Sequence, residues 1–193
     1  MTQDRAPDHV VLDAKSLRAL AHPDRVEMLT LLRRNGPSTA TRMAEQLGIN
    51  SGSASYHLRQ LAQAGLVAED ADRGNARERW WRSVHDGTVF DDLELARQEP
   101  EASLAYLQSV VNSYQLHIQQ VLTTLPALPK EWQGAINASN WQLVLTPDQA
   151  HQLRQDMAEV VERYRLPEGV EAPNDGATVE VISYVLPTWE AKP

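Results

Sequence analysis

Two short amphipathic segments with about three residues between them constrain this chain more than any other feature. They lie in "STATRMAEQLGINSGSASYHLRQLAQAGLV", residues 38–67. Ser38 can cap the first segment, which would turn Ala40, Met43, Ala44 and Leu47 inward and end at Gly48. Asn50 or Ser51 can cap the second, with Ala54, Leu58 and Leu61 inward and Gly65 as the stop. Helices at 39–47 and 51–64 joined this tightly have the spacing of a helix-turn-helix.

The flanks extend the pattern. From Ala14 the chain reads as helical, with Leu17, Leu20 and Ala21 on one face. Pro23 suits a first helical position, and Val26, Leu29 and Leu32 continue the stripe until Asn35-Gly36-Pro37. After Gly65 the period changes from helical to alternating. "LVAED" and "RERWWRSV" read as two strands around a polar turn at Gly74, which makes the unit a winged helix. Adjacent Trp80 and Trp81 must then point to opposite faces, one of them onto the helical core.

Residues 88–99 look helical and stop before Pro100. Beyond it, Leu104, Leu107, Val111, Tyr114, Ile118, Val121 and Leu125 alternate in steps of three and four, a heptad seam over three heptads. So narrow a seam suits a helix–helix pairing, and a dimer contact is the favoured reading. A Pro-rich linker, "LPALPKEWQGA", follows. Then "NWQLVLT" alternates, "TPDQ" opens a helix with Ala150, Leu153, Met157, Val160 and Tyr164 on one face, and "ATVEVISYVL" reads as a second strand. The expected fold class is α+β: an N-terminal arm over 1–13, a winged helix over 14–87, a helical dimerisation region over 88–125, and a linker with a small strand–helix–strand lobe over 126–193.

The 193 residues carry a net charge of -8, the wrong sign for a phosphate-coated partner, but the charge is uneven. Residues 1–87 hold 12 Lys and Arg against 11 Asp and Glu, and residues 88–193 hold 6 against 15. Charges further off than about 8 Å are screened at physiological salt, so a local basic surface can still meet DNA. The absence of cysteine removes disulfides, thiolate metal sites and thiol nucleophiles, and fits a reducing cytoplasm. No segment approaches the roughly 20 apolar residues of a membrane span, and the N-terminus has no signal-peptide pattern. No nucleophile–base spacing, paired-carboxylate pocket or phosphate loop stands out, so an enzyme is not expected.

"SLRALAHPDRVEMLTLLRRNGPSTATRMAEQLGINSGSASYHLRQLAQAGLV", followed by "RGNARERWWRSVHDG", resembles the ArsR-type winged-helix transcriptional regulators over residues 14–87. The resemblance implies a dimeric repressor or activator that binds double-stranded DNA and responds to a signal. On the second helix, Ser51, Gly52, Ser53, Ser55, Tyr56 and Arg59 lie off the Ala54/Leu58/Leu61 face. Small residues at a helix start let its backbone approach the major-groove floor. Tyr56 and Arg59 are the better candidates for base or phosphate contact. In the wing, Arg73, Arg77 and Arg79 can reach phosphate or a narrow minor groove. His57 has the position of a structural histidine, and His22 that of a helix-start residue. Family members often sense metals through Cys or Asp/His clusters on the terminal helix. Here that helix holds a single histidine, His117, and one imidazole is not a site, so neither a metal nor a cofactor is expected.

In the terminal lobe, Trp132, Trp141, Tyr164 and Tyr184, with Trp189, form a candidate pocket for a small-molecule effector, rimmed by acid. The lobe's own core is the plainer reading of these rings. The expectation for the whole chain is a cytoplasmic homodimeric regulator reading an inverted repeat. The alternative is a protein-interaction module that uses the winged helix as scaffold and the acidic lobe as its binding surface.

Overall fold

The computed structural model describes residues 9–73, 78–166 and 170–188. The chain divides into two compact units, Met1–Ala127 and Leu128–Pro193. The first contains, in order, β1 (His9–Val11), α1 (Ala14–Leu20), α2 (Pro23–Asn35), β2 (Ser38–Thr39), α3 (Ala40–Leu47), α4 (Ser51–Gln63), β3 (Val67–Glu69), β4 (Trp80–Ser83), β5 (Gly87–Val89), α5 (Leu93–Gln98) and α6 (Pro100–Thr124).

Local chemistry sets each helix boundary. Asp13 and Ser16 form a reciprocal capping box at the start of α1. His22 caps α2, its Nδ1 accepting from the Asp24 N–H at 3.2 Å, with Pro23 at the first helical position. Thr39, not Ser38, caps α3, because Ser38 and Thr39 are extended and pair with β4. Asn50 caps α4, its Oδ1 accepting from the Ser53 N–H at 2.8 Å. Gly48 has φ +66 and Gly65 has φ +76, conformations in which only glycine is unstrained. Gly48 therefore permits the sharp change of direction between α3 and α4.

The core gathers the inward faces of α1 to α4 against the hairpin. Leu17, Leu20, Met28, Met43, Leu58, Leu61 and Leu66 are fully buried, and Trp81 joins them from β4. Trp80 points the other way, with the Arg42 guanidinium 4.7 Å from its ring centre. The wing sheet has three strands in the order β2-β4-β3, with Val67 opposite Ser83 and Ser38 opposite Trp81. A second, two-stranded sheet pairs β1 with β5 in parallel, Val10 beside Thr88. Residues 9–11, expected within an arm, are thus a strand, and residues 88 and 89, expected to begin a helix, belong to its partner. Arg33 fastens this sheet to α2 by donating to the carbonyls of His85 and Gly87 at 3.0 and 2.9 Å.

Helix α6 packs on α1 and α2 through Ser103, Tyr106, Ser109 and Ser113. Tyr106 meets Phe90 edge-on at 5.5 Å, and the Ser113 hydroxyl donates to the Glu27 carboxylate at 2.5 Å. The heptad seam points elsewhere: Leu104, Leu107, Val111, Ile118 and Val121 are 43–58% exposed. These five seam residues thus lie outside the buried face that holds α6 to its own chain, whereas Tyr114 and Leu125 are half-buried.

The second unit contains α7 (Lys130–Gln133) and α8 (Pro147–Glu162). Thr146 and Gln149 form the capping box that opens α8. The strands expected at 140–146 and 177–186 do not form: among the described residues of this unit no strand is present. Alternation produces a strand only when a neighbour accepts and donates the ladder hydrogen bonds, and neither segment has one. Their apolar residues stay open to solvent, Leu143 and Val181 among them.

Replacing Gly48 with Ala meets no steric obstacle, so only the backbone strain counts. The Gly48→Ala variant is expected to unfold at lower urea concentration, with a loss of about 1–2 kcal/mol and an unchanged slope.

Candidate nucleic-acid interface

The outer face of α4 follows from its inner one. With Ala54, Leu58 and Leu61 buried, the helix period turns Ser51, Gly52, Tyr56 and Arg59 to solvent and leaves Ser53 and Ser55 half-buried. The helix start is narrow, since four of its first five residues are Ser or Gly and the other, Ala54, is buried. Arg59 lies along the helix, its Nε donating to the Ser55 carbonyl at 3.1 Å. An open polar groove runs between α3, α4 and β4, lined by Thr39, Thr41, Ser55, Arg59, Glu78 and Arg79. Arg59 of α4 and Arg79, just before β4, therefore share one surface.

The wing arginines are partly neutralised. Arg79 Nε lies 3.2 Å from Glu69 Oε2, with its guanidinium 5.8 Å from the Trp81 ring centre. Arg73 Nε lies 3.3 Å from Asp70 Oδ2 and does not line the groove. Arg77 lies outside the described residues. Two exposed side chains of α3, Thr41 and Arg42, border the same region without having been singled out by sequence pattern. Their signal was their position on the outer face of the first helix of the pair.

A helix-turn-helix domain family matches residues 20–70. The chain is 46% identical over 57 residues to the HTH-type transcriptional regulator NmtR of Mycobacterium tuberculosis. That stretch is 30% of this chain and 47% of NmtR, so the likeness spans about half the length of this curated relative. Residues 20–70 of the chain therefore carry a helix-turn-helix domain. Among solved structures, the transcriptional regulator Tm0710 from Thermotoga maritima aligns at 15% identity and a TM-score of 0.32, covering 74% of this chain and 78% of that one. YusO from Bacillus subtilis aligns at 12% identity and a TM-score of 0.33, covering 77% and 82%.

Within this helix-turn-helix unit, His57 is buried on the inner side of α4, next to exposed Tyr56. Its Nε2 lies 3.5 Å from Asp24 Oδ2, and its ring sits 4.5 Å from that of His22, so it bridges α4 to the start of α2. Burial holds its pKa below the ordinary 6.5; His22 and Arg25 push the same way and Asp24 opposes them.

Among the described residues, the aromatic side chains of the terminal unit form neither the candidate effector pocket nor the lobe core that was the plainer reading. Trp141 and Tyr164 are 74% and 84% exposed, Tyr184 is also exposed, and Trp132 is half-buried. Without the two flanking strands there is no sheet for α8 to enclose them against. Trp189 lies outside the described residues. Among the described residues no helix is long and apolar enough to cross a membrane.

Because the folded chain holds His57 below its unfolded pKa, the unfolded chain binds the proton more readily below pH 6.5. This contribution to stability is complete above pH 6.5 and declines as pH falls below it. In urea titrations with EDTA present, wild type is expected to lose more stability between pH 7.5 and 5.5 than His57→Gln does. Equal losses in the two proteins would show that His57 is not the group responsible.

Proposed function

We propose that this chain is a sequence-specific regulator of transcription that binds double-stranded DNA as a homodimer. The observation that carries the reading is the shared groove: Ser55 and Arg59 of α4 and Arg79, just before β4, line one exposed surface beside a helix start built of small residues. In this reading the Ser51–Ser55 end of α4 enters the major groove. Tyr56 and Arg59 contact base edges or phosphates there, while Arg73, Arg77 and Arg79 hold the flanking backbone. The helix-turn-helix unit and its likeness to a transcriptional regulator support the same reading. The acidic balance of the chain limits non-specific attraction to DNA and leaves affinity to local contacts.

The homodimer rests on α6. Its exposed apolar seam, Leu104, Leu107, Val111, Ile118 and Val121, with half-buried Tyr114 and Leu125, has the spacing a second copy of the same helix would match. Two subunits joined this way would present two recognition helices to half-sites about one helical turn, roughly 34 Å, apart.

Genomic fragments recovered with the protein supply the operator for a test by fluorescence anisotropy. Wild-type affinity is expected to fall steeply with salt, and Arg59→Ala combined with Arg79→Ala to weaken binding roughly 10- to 100-fold and flatten the salt slope by about two. An unchanged double variant would remove these residues from the interface. Weak, sequence-independent binding by wild type would favour a protein-interaction module. For the seam, Leu107→Glu with Val111→Glu is expected to shift sedimentation from dimer to monomer with the circular dichroism spectrum retained, since both side chains are exposed in the single chain.

A further inference from the structure

The fold brings together three ligand-type side chains that are apart in sequence. His22 and Asp24 flank Pro23 at the start of α2, and His57 comes from the middle of α4. One donor atom from each lies within 4.8 Å of the other two. We propose that His22, Asp24 and His57 form a binding site for a divalent transition-metal ion, joining the recognition helix to the start of α2.

The donor set selects the class of ion. Two imidazoles and one carboxylate suit zinc, cobalt or nickel, whereas calcium and magnesium require oxygen cages. Around a tetrahedral ion with bonds of about 2.0–2.2 Å, donors sit roughly 3.3 Å apart. His57 Nε2 and Asp24 Oδ2, at 3.5 Å, already have that separation. The widest gap, at most 4.8 Å, closes by about 1.5 Å, within reach of side-chain rotation.

A purely structural histidine at this place would have its ring nitrogens hydrogen-bonded. His57 does not: its Nδ1 is buried with no hydrogen-bond partner, while its Nε2 faces Asp24 Oδ2 at 3.5 Å. Asp24 and His22 are half-buried, so an ion can enter from solvent while His57 closes the inner side. His22 spends only Nδ1 on its capping bond to the Asp24 N–H, which leaves Nε2 for a ligand. The nearby cation, Arg25, is turned onto the backbone, donating to the carbonyls of Ala19 and Arg18. Three protein donors leave further positions on the ion for water. An ion held here fixes the rotation of α4 against α2, and so the presentation of Tyr56 and Arg59.

The test uses the full chain after EDTA treatment and buffer exchange. Cobalt(II) is titrated while its visible d–d absorption is followed, and zinc(II) is then added as competitor. The expected result is saturation near one equivalent per chain and displacement by zinc. His22→Asn, which keeps a helix-capping side chain, and Asp24→Asn are each expected to lower affinity at least about tenfold. Metal-free thermal unfolding identifies which of these variants is folded, and one folded variant suffices for the comparison. His151→Ala is expected to bind as wild type does. The proposal is overturned if cobalt gives no saturable bands, if the folded variants bind as tightly as wild type, or if His151→Ala abolishes binding.

Discussion

The burial of one face of α4 is the constraint from which the rest of the first unit follows. Ala54, Leu58 and Leu61 have no exposed surface, and they fix the rotation of the helix about its own axis. Burying a leucine stabilises by about 1.5–3 kcal/mol, while a surface arginine pair contributes well under 1 kcal/mol. The apolar face therefore decides the orientation, and Tyr56 and Arg59 are carried outward as a consequence. The same rotation turns His57 inward. A single helix thus presents a polar surface on one side and a titratable, ligand-type group on the other, three residues or fewer apart.

The parts legible in the sequence are those determined by local chemistry. Gly48, Gly65, Asn50 and Pro23 each announce a boundary because a left-handed backbone, a cap or a fixed φ needs that residue type. The inner and outer residues of α4 follow from its period. The hairpin is legible as alternation, with Trp81 buried and Trp80 turned away. What could not be read depends on partners remote in the chain. β1 has three residues and no sequence signature; it exists because His9–Val11 lies beside Gly87–Val89. His22 and Asp24 read as a helix start, and nothing local places His57, 33 residues beyond Asp24, beside them.

The segments at 140–146 and 177–186 show the converse limit. Both alternate cleanly, yet neither has a ladder partner among the described residues. The period of a segment reports which side chains could share a face. It does not report whether another segment is available to complete the hydrogen bonds, and in this unit the aromatic rings expected to share a pocket are exposed for that reason.

Helix α6 separates two requirements that a sequence pattern merges. Its inward face carries Ser103, Ser109 and Ser113 around Tyr106, small side chains that let the helix lie close to α1 and α2. Burial of these hydroxyls is not penalised. Ser103 and Ser109 donate to carbonyls one turn earlier in their own helix, and Ser113 donates to Glu27. Tyr106 is held neutral, its pKa pushed up to about 12, chiefly by burial. Because this polar-lined face suffices to dock α6, the leucines and valines of the seam are not needed for the subunit's own core. An apolar stripe that the fold neither uses nor covers is costly to leave in water. The exposed seam is thus the surface on which the proposed homodimer rests, and in that reading it sets the spacing of the two DNA-facing helices.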